Sequence, residues 1–358
     1  MSGENRRTEV NAESRGIDER KAAILRAIVS HYVRSGEPVG SKTIVERFAL
    51  GVSTATVRND MGALEEAGFI YQPHTSAGRV PTDAGYRYFV DAWTGDVKLP
   101  PEESRRIRGF FVEPRWELED ALRRTAVLLS ALTDHAAVVF APALDKSVVR
   151  HVELVRLSGD RAMILIVSDT GRVHNRVVLI PESFDEVQLE DTNAMLNRIV
   201  CGIPLETAAA TIRSHRERFP LEFRDAVDTV AVSLEDDLPQ HDSDRVFLEG
   251  ASNILEEGKF TNLEVVRQVI GALEHRRLLL GLLADALEEE SVSVRIGAEN
   301  PLAEMQFCSV IAANYGPEGN ALGSLGIVGP TRMDYLRTIA AVHEVASALG
   351  RMLTELGV

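Results

Sequence analysis

Residues 41–68, SKTIVERFALGVSTATVRNDMGALEEAG, hold two short helical signals separated by only the four residues ALGV. Ser53 can cap the second of them, Val57, Met61 and Leu64 recur at helical spacing, and Gly68 is a natural stop. Ser41 is expected to cap the first, with Ile44, Val45 and Phe48 facing inward. So short a glycine-bearing link forces the two helices against each other, and a third helix must cover them. Residues 19–35 supply one: Ile24, Leu25, Ile28, Val29, Tyr32 and Val33 share a face and Gly36 ends it. This is the helix-turn-helix arrangement.

With Val57, Met61 and Leu64 inward, Thr54, Ala55, Arg58, Asn59 and Gly62 point outward and Thr56 lies at the boundary. The chemistry of that face suits base edges. Arg58 can make bidentate bonds to guanine, Asn59 to adenine, and the methyls of Thr54, Ala55 and Thr56 can pack on thymine. Ser41, Ser53 and the amides at the helix start can meet a phosphate, and Lys42 adds a charge.

The run Phe69-Ile70-Tyr71, the loop QPHTSAGRVPT at 72–82 and the returning Arg79-Val80 form a strand, a tip and a second strand. We read this as a β-wing beside the helices: Pro73 and Pro81 limit it, Thr75 to Gly78 keep the tip slim, and His74, Ser76 and Arg79 are its candidate DNA contacts. Thr82 and Asp83 then open a helix in TDAGYRYFVD.

A net charge of −15 argues against a polyanion partner until its distribution is examined. Residues 1–90 carry 12 Lys and Arg against 11 Asp and Glu, so the acidity belongs to the later chain. No apolar run reaches membrane-spanning length, the first seventeen residues read as a polar disordered tail without a secretory core, and Cys201 and Cys308 form no disulfide or metal pattern. The expected compartment is the cytoplasm, with no membrane partner.

Residues 93–133 show helical spacing and read as linker helices. From His135 the texture turns to strands: HAAVVFAP, RHVELVRL, RAMILIVSD and RVHNRVVLI, with Asp169-Thr170-Gly171 as a hairpin turn, read together as one antiparallel sheet. Helical texture fills 185–218 and 244–289, strands return in SVSVRI, MQFCSVIAANY and ALGSLGIVG, and a last helix runs from Met333. Sheet, helices and sheet again fit an α+β domain with a helical insertion.

Catalytic temptations in this half are weak. The glycines of 315–330 lack the Gly-Lys-Ser/Thr of a phosphate loop; Thr331 and Asp334 have capping-box spacing; His135, His151 and His174 stand without metal-ligand partners. Neither a metal nor another cofactor is expected, and no nucleophile, base and orienter assemble, which ranks an acidic α+β enzyme far below a regulator.

The blocks GEPVGSKT at 36–43, VSTATVRNDM at 52–61 and QPHTSAGRVPTDAGYRYFVD at 72–91 resemble the DNA-binding domain of the heat-inducible transcription repressor family HrcA. The resemblance continues through FLEGASNIL at 247–255, VRIGAENP at 294–301 and GSLGIVGPTRMDY at 323–335. It implies a winged helix-turn-helix domain at 18–92, a GAF-like antiparallel sheet domain in two parts at 134–220 and 291–358, and a helical dimerisation domain inserted at 221–290. It further implies a homodimer on an inverted-repeat operator of double-stranded DNA, repression of chaperone operons, and maintenance by a GroEL-type chaperonin. The alternative is a winged-helix regulator whose GAF-like domain senses a metabolite.

Overall fold

The chain enters its first helix at Asp18, whose carboxylate accepts the Lys21 N–H (2.8 Å) and so satisfies one orphan donor. Helix α1 (Glu19–Ser35) ends where Gly36 takes the left-handed conformation, φ 71°. The computed structural model describes residues 17–48, 51–75, 77–92, 98–112, 117–141, 148–169, 173–181, 184–240, 246–255, 263–275, 279, 292–317 and 321–355.

Helices α2 (Ser41–Arg47) and α3 (Thr54–Glu66) pack on α1 through Ile44, Val57, Met61 and Leu64, all buried, while Val45 and Phe48 are only half-covered. The expected cap at Ser41 is displaced by one residue: Gly40 occupies the extended cap position and has no side chain to bond. Strands β1 (Ile70–Tyr71) and β2 (Val80–Pro81) pair antiparallel, and Arg79 exchanges two main-chain bonds with Val39 (2.9 and 2.8 Å), which ties the hairpin to the segment before α2. Thr82 caps α4 (Asp83–Asp91) by accepting the Gly85 N–H, and its hydroxyl donates to the Gly68 carbonyl (2.6 Å) at the end of α3.

The body is an antiparallel five-stranded sheet in the order β7 (Val246–Glu249), β3 (Ala136–Phe140), β10 (Gly323–Pro330), β9 (Cys308–Tyr315), β8 (Ser293–Ile296). One face packs on α6 (Leu118–Thr133) and α11 (Tyr335–Glu355) through Leu122, Leu129, Val342, Val345 and Leu349. The other packs on residues 251–255 and α10 (Leu263–Glu274) through Ile254, Val269 and Leu273. Burial on both faces is why AAVVF and GSLGIVGP are apolar at nearly every position. Helix α5 (Pro101–Phe110) lies against α11, where Ser104 donates to Glu344 and Arg337 pairs with Glu103. The span read as linker therefore belongs largely to the body.

Between β3 and β7 the chain builds a separate unit. Strands β4 (Val149–Ser158), β5 (Arg161–Ser168) and β6 (Val173–Leu179) form their own sheet, covered on one side by α7 (Glu186–Val200), α8 (Leu205–Ser214) and α9 (Arg224–Gln240) around a second core. The single sheet expected from His135 onward is thus two sheets, and the chain leaves the five-stranded sheet at 141 rather than at 221. The insertion carries strands as well as helices. Alternation marks the difference: β5 reads exposed or half-buried, then buried, residue by residue, as a half-covered sheet must. Residues 170–172, at the expected hairpin turn, lie outside the described residues.

The free edge of β4 is closed by side chains. Asn197 bonds both the N–H (2.9 Å) and the carbonyl (2.5 Å) of Val152, and Asn193 bonds both groups of Leu154 (2.8 and 3.1 Å). Two amides on one face of α7 thereby stand in for a neighbouring strand.

Candidate nucleic-acid interface

Helix α3 begins at Ser53, whose hydroxyl oxygen accepts the Thr56 N–H (3.2 Å) and shares a 2.9 Å bond with the Thr56 hydroxyl. The cap fixes the first turn and uses the O–H of one of the two hydroxyls. Ala55, Arg58 and Asn59 are exposed; Thr54, Thr56 and Gly62 are half-buried. Among the described residues Arg58 and Asn59 engage no polar partner, so their donors and acceptors face solvent in the direction the helix presents. Lys42, at the start of α2, is 82% exposed and lies 3.7 Å from Glu46. Ser41, at the same helix start, is half-buried.

The orientation of that face is set from beneath by a residue that apolar periodicity overlooks. Asp60 lies between Val57 and Leu64 on the buried side of α3 and takes two bonds from Arg20 of α1 (2.7 and 3.1 Å). Its carboxylate is nearly enclosed while the guanidinium remains half-exposed. This bond also raises the Arg20 pKa above its ordinary value. The spacing 57, 60, 61, 64 placed Asp60 inward; a buried acid among apolar neighbours was the available signal.

In the hairpin, Gln72 holds the loop closed from inside, donating to the carbonyls of Thr75 (3.0 Å) and Ala77 (2.9 Å). The Ala77 N–H returns to the His74 carbonyl (2.8 Å), and His74 itself is exposed. Gly78 runs so close to Val39 that a Cβ there would stand 2.4 Å from its carbonyl carbon. Arg79 differs from the free charge expected of it. It is paired with Glu65 of α3 (2.8 and 3.0 Å), partly covered, and fastens the hairpin to the helix. Ser76 lies outside the described residues.

The helical unit is fixed to the body from two of its helices, α4 and α1. From α4, Asp83 accepts the Ala298 N–H (3.0 Å), and Arg87 pairs with both carboxylate oxygens of Glu299 and donates to the Val294 carbonyl (2.5 Å). From α1, the Val33 carbonyl receives Arg332 (3.4 Å), whose guanidinium lies over Gly36. The Tyr86 and Tyr335 rings meet between these points at 5.4 Å, and burial pushes both phenols well above their ordinary pKa. Asp334, rather than Thr331, caps α11 by accepting the Arg337 N–H (3.2 Å). No helix among the described residues is long and apolar enough to cross a membrane.

The family model described as HrcA protein C terminal domain matches residues 119–339, from the start of α6 into α11. The heat-inducible transcription repressor HrcA of Nocardia farcinica is 43% identical over 343 residues, covering 96% of this chain and 99% of its own. That of Streptomyces avermitilis is 43% identical over 339 residues, covering 95% and 99%. A solved crystal structure of a hypothetical protein superposes with a TM-score of 0.66 at 22% identity, covering 94% of this chain and 99% of that one, and shares the fold. The class is that of a transcription repressor. The chain belongs to the HrcA family of heat-inducible transcription repressors.

Proposed function

We propose that the chain represses heat-shock chaperone operons as a homodimer, each protomer laying α3 in the major groove of one arm of an inverted-repeat operator. The carrying observation is the exposed, polar-uncommitted Arg58 and Asn59 at the start of a capped helix whose underside is locked by Asp60. The hairpin is the wing of a winged helix, with His74 approaching the adjacent groove, and Ser41, Ser53, Thr54, Thr56 and Lys42 framing α3. Arg79 sets the wing's angle through Glu65 and is available to a phosphate only by leaving that pair. Sedimentation on a duplex carrying the inverted repeat should give two protomers per duplex; one protomer would contradict the reading.

Two features of the inserted unit support dimerisation through it. The outer face of its sheet exposes Val155, Leu157, Val173, Val177 and Leu179. An apolar sheet face of this kind calls for a partner. Asn193 and Asn197 close the β4 edge to strand addition, and the exposed apolar face is where a second copy packs.

Chaperonin maintenance follows as the regulatory half of the reading, since an unpaired protomer presents that same apolar face to a folding partner. Added purified chaperonin should raise the operator-competent fraction, most at elevated temperature; no effect at any temperature contradicts it. A metabolite-sensing reading draws on one observation, a cavity of 550 Å³ between α6 and β7 lined by Glu119, Arg123, Phe247 and Glu249. Calorimetry with cell-extract fractions, on the full chain, tests it.

A further inference from the structure

The joint between the helical unit and the body is built from two anchors on different helices of the unit, one on α4 and one at the end of α1. At α4, Asp83 sits so tightly on the Gly297 turn that a Cβ on Gly297 would lie 2.0 Å from its carboxylate oxygen. Arg87 closes the same turn through Glu299, whose carboxylate also accepts the Ile296 N–H (2.8 Å). At α1, Arg332 places its charge over the helix C-terminus, where the backbone dipole favours a cation. Between the anchors the apolar core is continuous, since Tyr86, Phe89, Met333 and Tyr335 belong to one cluster with the helices of the body. Anchors on two helices around a shared core resist rotation, which a single point would allow.

We infer that Asp83, Arg87, Glu299 and Arg332 are positioning residues that set the spacing between operator half-sites, acting on where α3 points rather than touching DNA. The inference rests on the dimeric operator reading above. A dimer with loosely tethered reading heads tolerates many spacings, because each head reaches its half-site independently; rigidly held heads concentrate affinity at one span. Each added base pair moves a half-site by about 3.4 Å and rotates it by about 35°, so a rigid joint makes the dependence on spacer length steep and periodic. None of the four side chains lies on the exposed face of α3 or at the hairpin tip, which separates spacing from base reading.

The test uses the full chain and the operator it selects from random duplexes, rebuilt with spacers shortened and lengthened by one to five base pairs. For the unmodified protein, affinity should fall at least about tenfold two base pairs from the optimum. In the double variant Glu299→Ala/Arg332→Ala the same change should cost less than about threefold, while affinity for an isolated half-site stays within about twofold of the unmodified value. Glu299→Gln, which keeps an acceptor for Ile296, should lie between. Circular dichroism confirms that each variant is folded, and if the double variant is not, the comparison runs on Glu299→Gln alone. An unmodified protein indifferent to spacing, or folded variants that keep its sharp optimum, overturns the inference. Failure to bind any inverted repeat overturns the operator reading itself, and this inference with it.

Discussion

Arg58 and Lys42 are both exposed cations of the helical unit, and the proposed base and phosphate roles predict that they fail differently. Arg58→Ala should weaken operator binding by about 1–3 kcal/mol and relax preference at one base pair in each arm. Lys42→Ala should weaken all sequences alike and lower the slope of log affinity against log salt by about one. Titrating both variants across salt concentrations separates them; equal slopes would remove Lys42 from the phosphate set. Gly78→Ala drives a methyl into the Val39 main chain, where nothing can move aside without breaking the Val39–Arg79 bonds. It should cost about 1–3 kcal/mol, read as a lowered Tm. Burial pushes both thiols up, Cys308 to about 12, but Cys201 is exposed and Cys308 buried. A thiol reagent at neutral pH should modify Cys201 in the native protein and Cys308 only after unfolding.

At the scale of elements, α3 is held by a pair with unequal partners, and the inequality is testable. Removing Arg20 leaves the enclosed Asp60 carboxylate without its partner, while removing Asp60 leaves a half-exposed guanidinium that water can solvate. Arg20→Ala should therefore lower Tm more than Asp60→Asn, and the reverse order would contradict this account of the pair. Much of this level was legible beforehand. The α1, α3 and α4 starts and the Gly36 stop follow from local capping chemistry, and local chemistry is written in adjacent residues. Ser41 misled because Gly40 can take the extended cap conformation without a side-chain bond. The division of the strands between two sheets was harder, since strand texture names no partner. Only the contrast between the wholly apolar AAVVF and the alternating RAMILIVS separates a twice-covered strand from a half-covered one. Glu65 holding Arg79, and Glu299 holding Arg87, connect residues 14 and 212 positions apart, and no periodicity reports a pair of that kind.

The whole molecule couples a nearly neutral helical unit to an acidic body, so a polyanion is repelled by the body and not by the unit. The blocks VRIGAENP and GSLGIVGPTRMDY, which carry the family resemblance far from the helical unit, contain Gly297, Ala298, Glu299, Arg332 and Tyr335 and hold the joint. If the outer face of the inserted sheet joins two copies, Val177→Asp/Leu179→Asp should yield monomers that remain folded, because both side chains already face solvent. Sedimentation velocity measures this; an undiminished dimer would move the interface elsewhere. The central claim, that α3 reads a two-fold operator, is tested most directly by selecting random duplexes in parallel with the full chain and with Arg58→Ala. The account predicts an inverted repeat for the first, and for the second the same repeat with preference lost at one symmetric base pair in each arm. A selected sequence without two-fold symmetry, or one unchanged by Arg58→Ala, would contradict it.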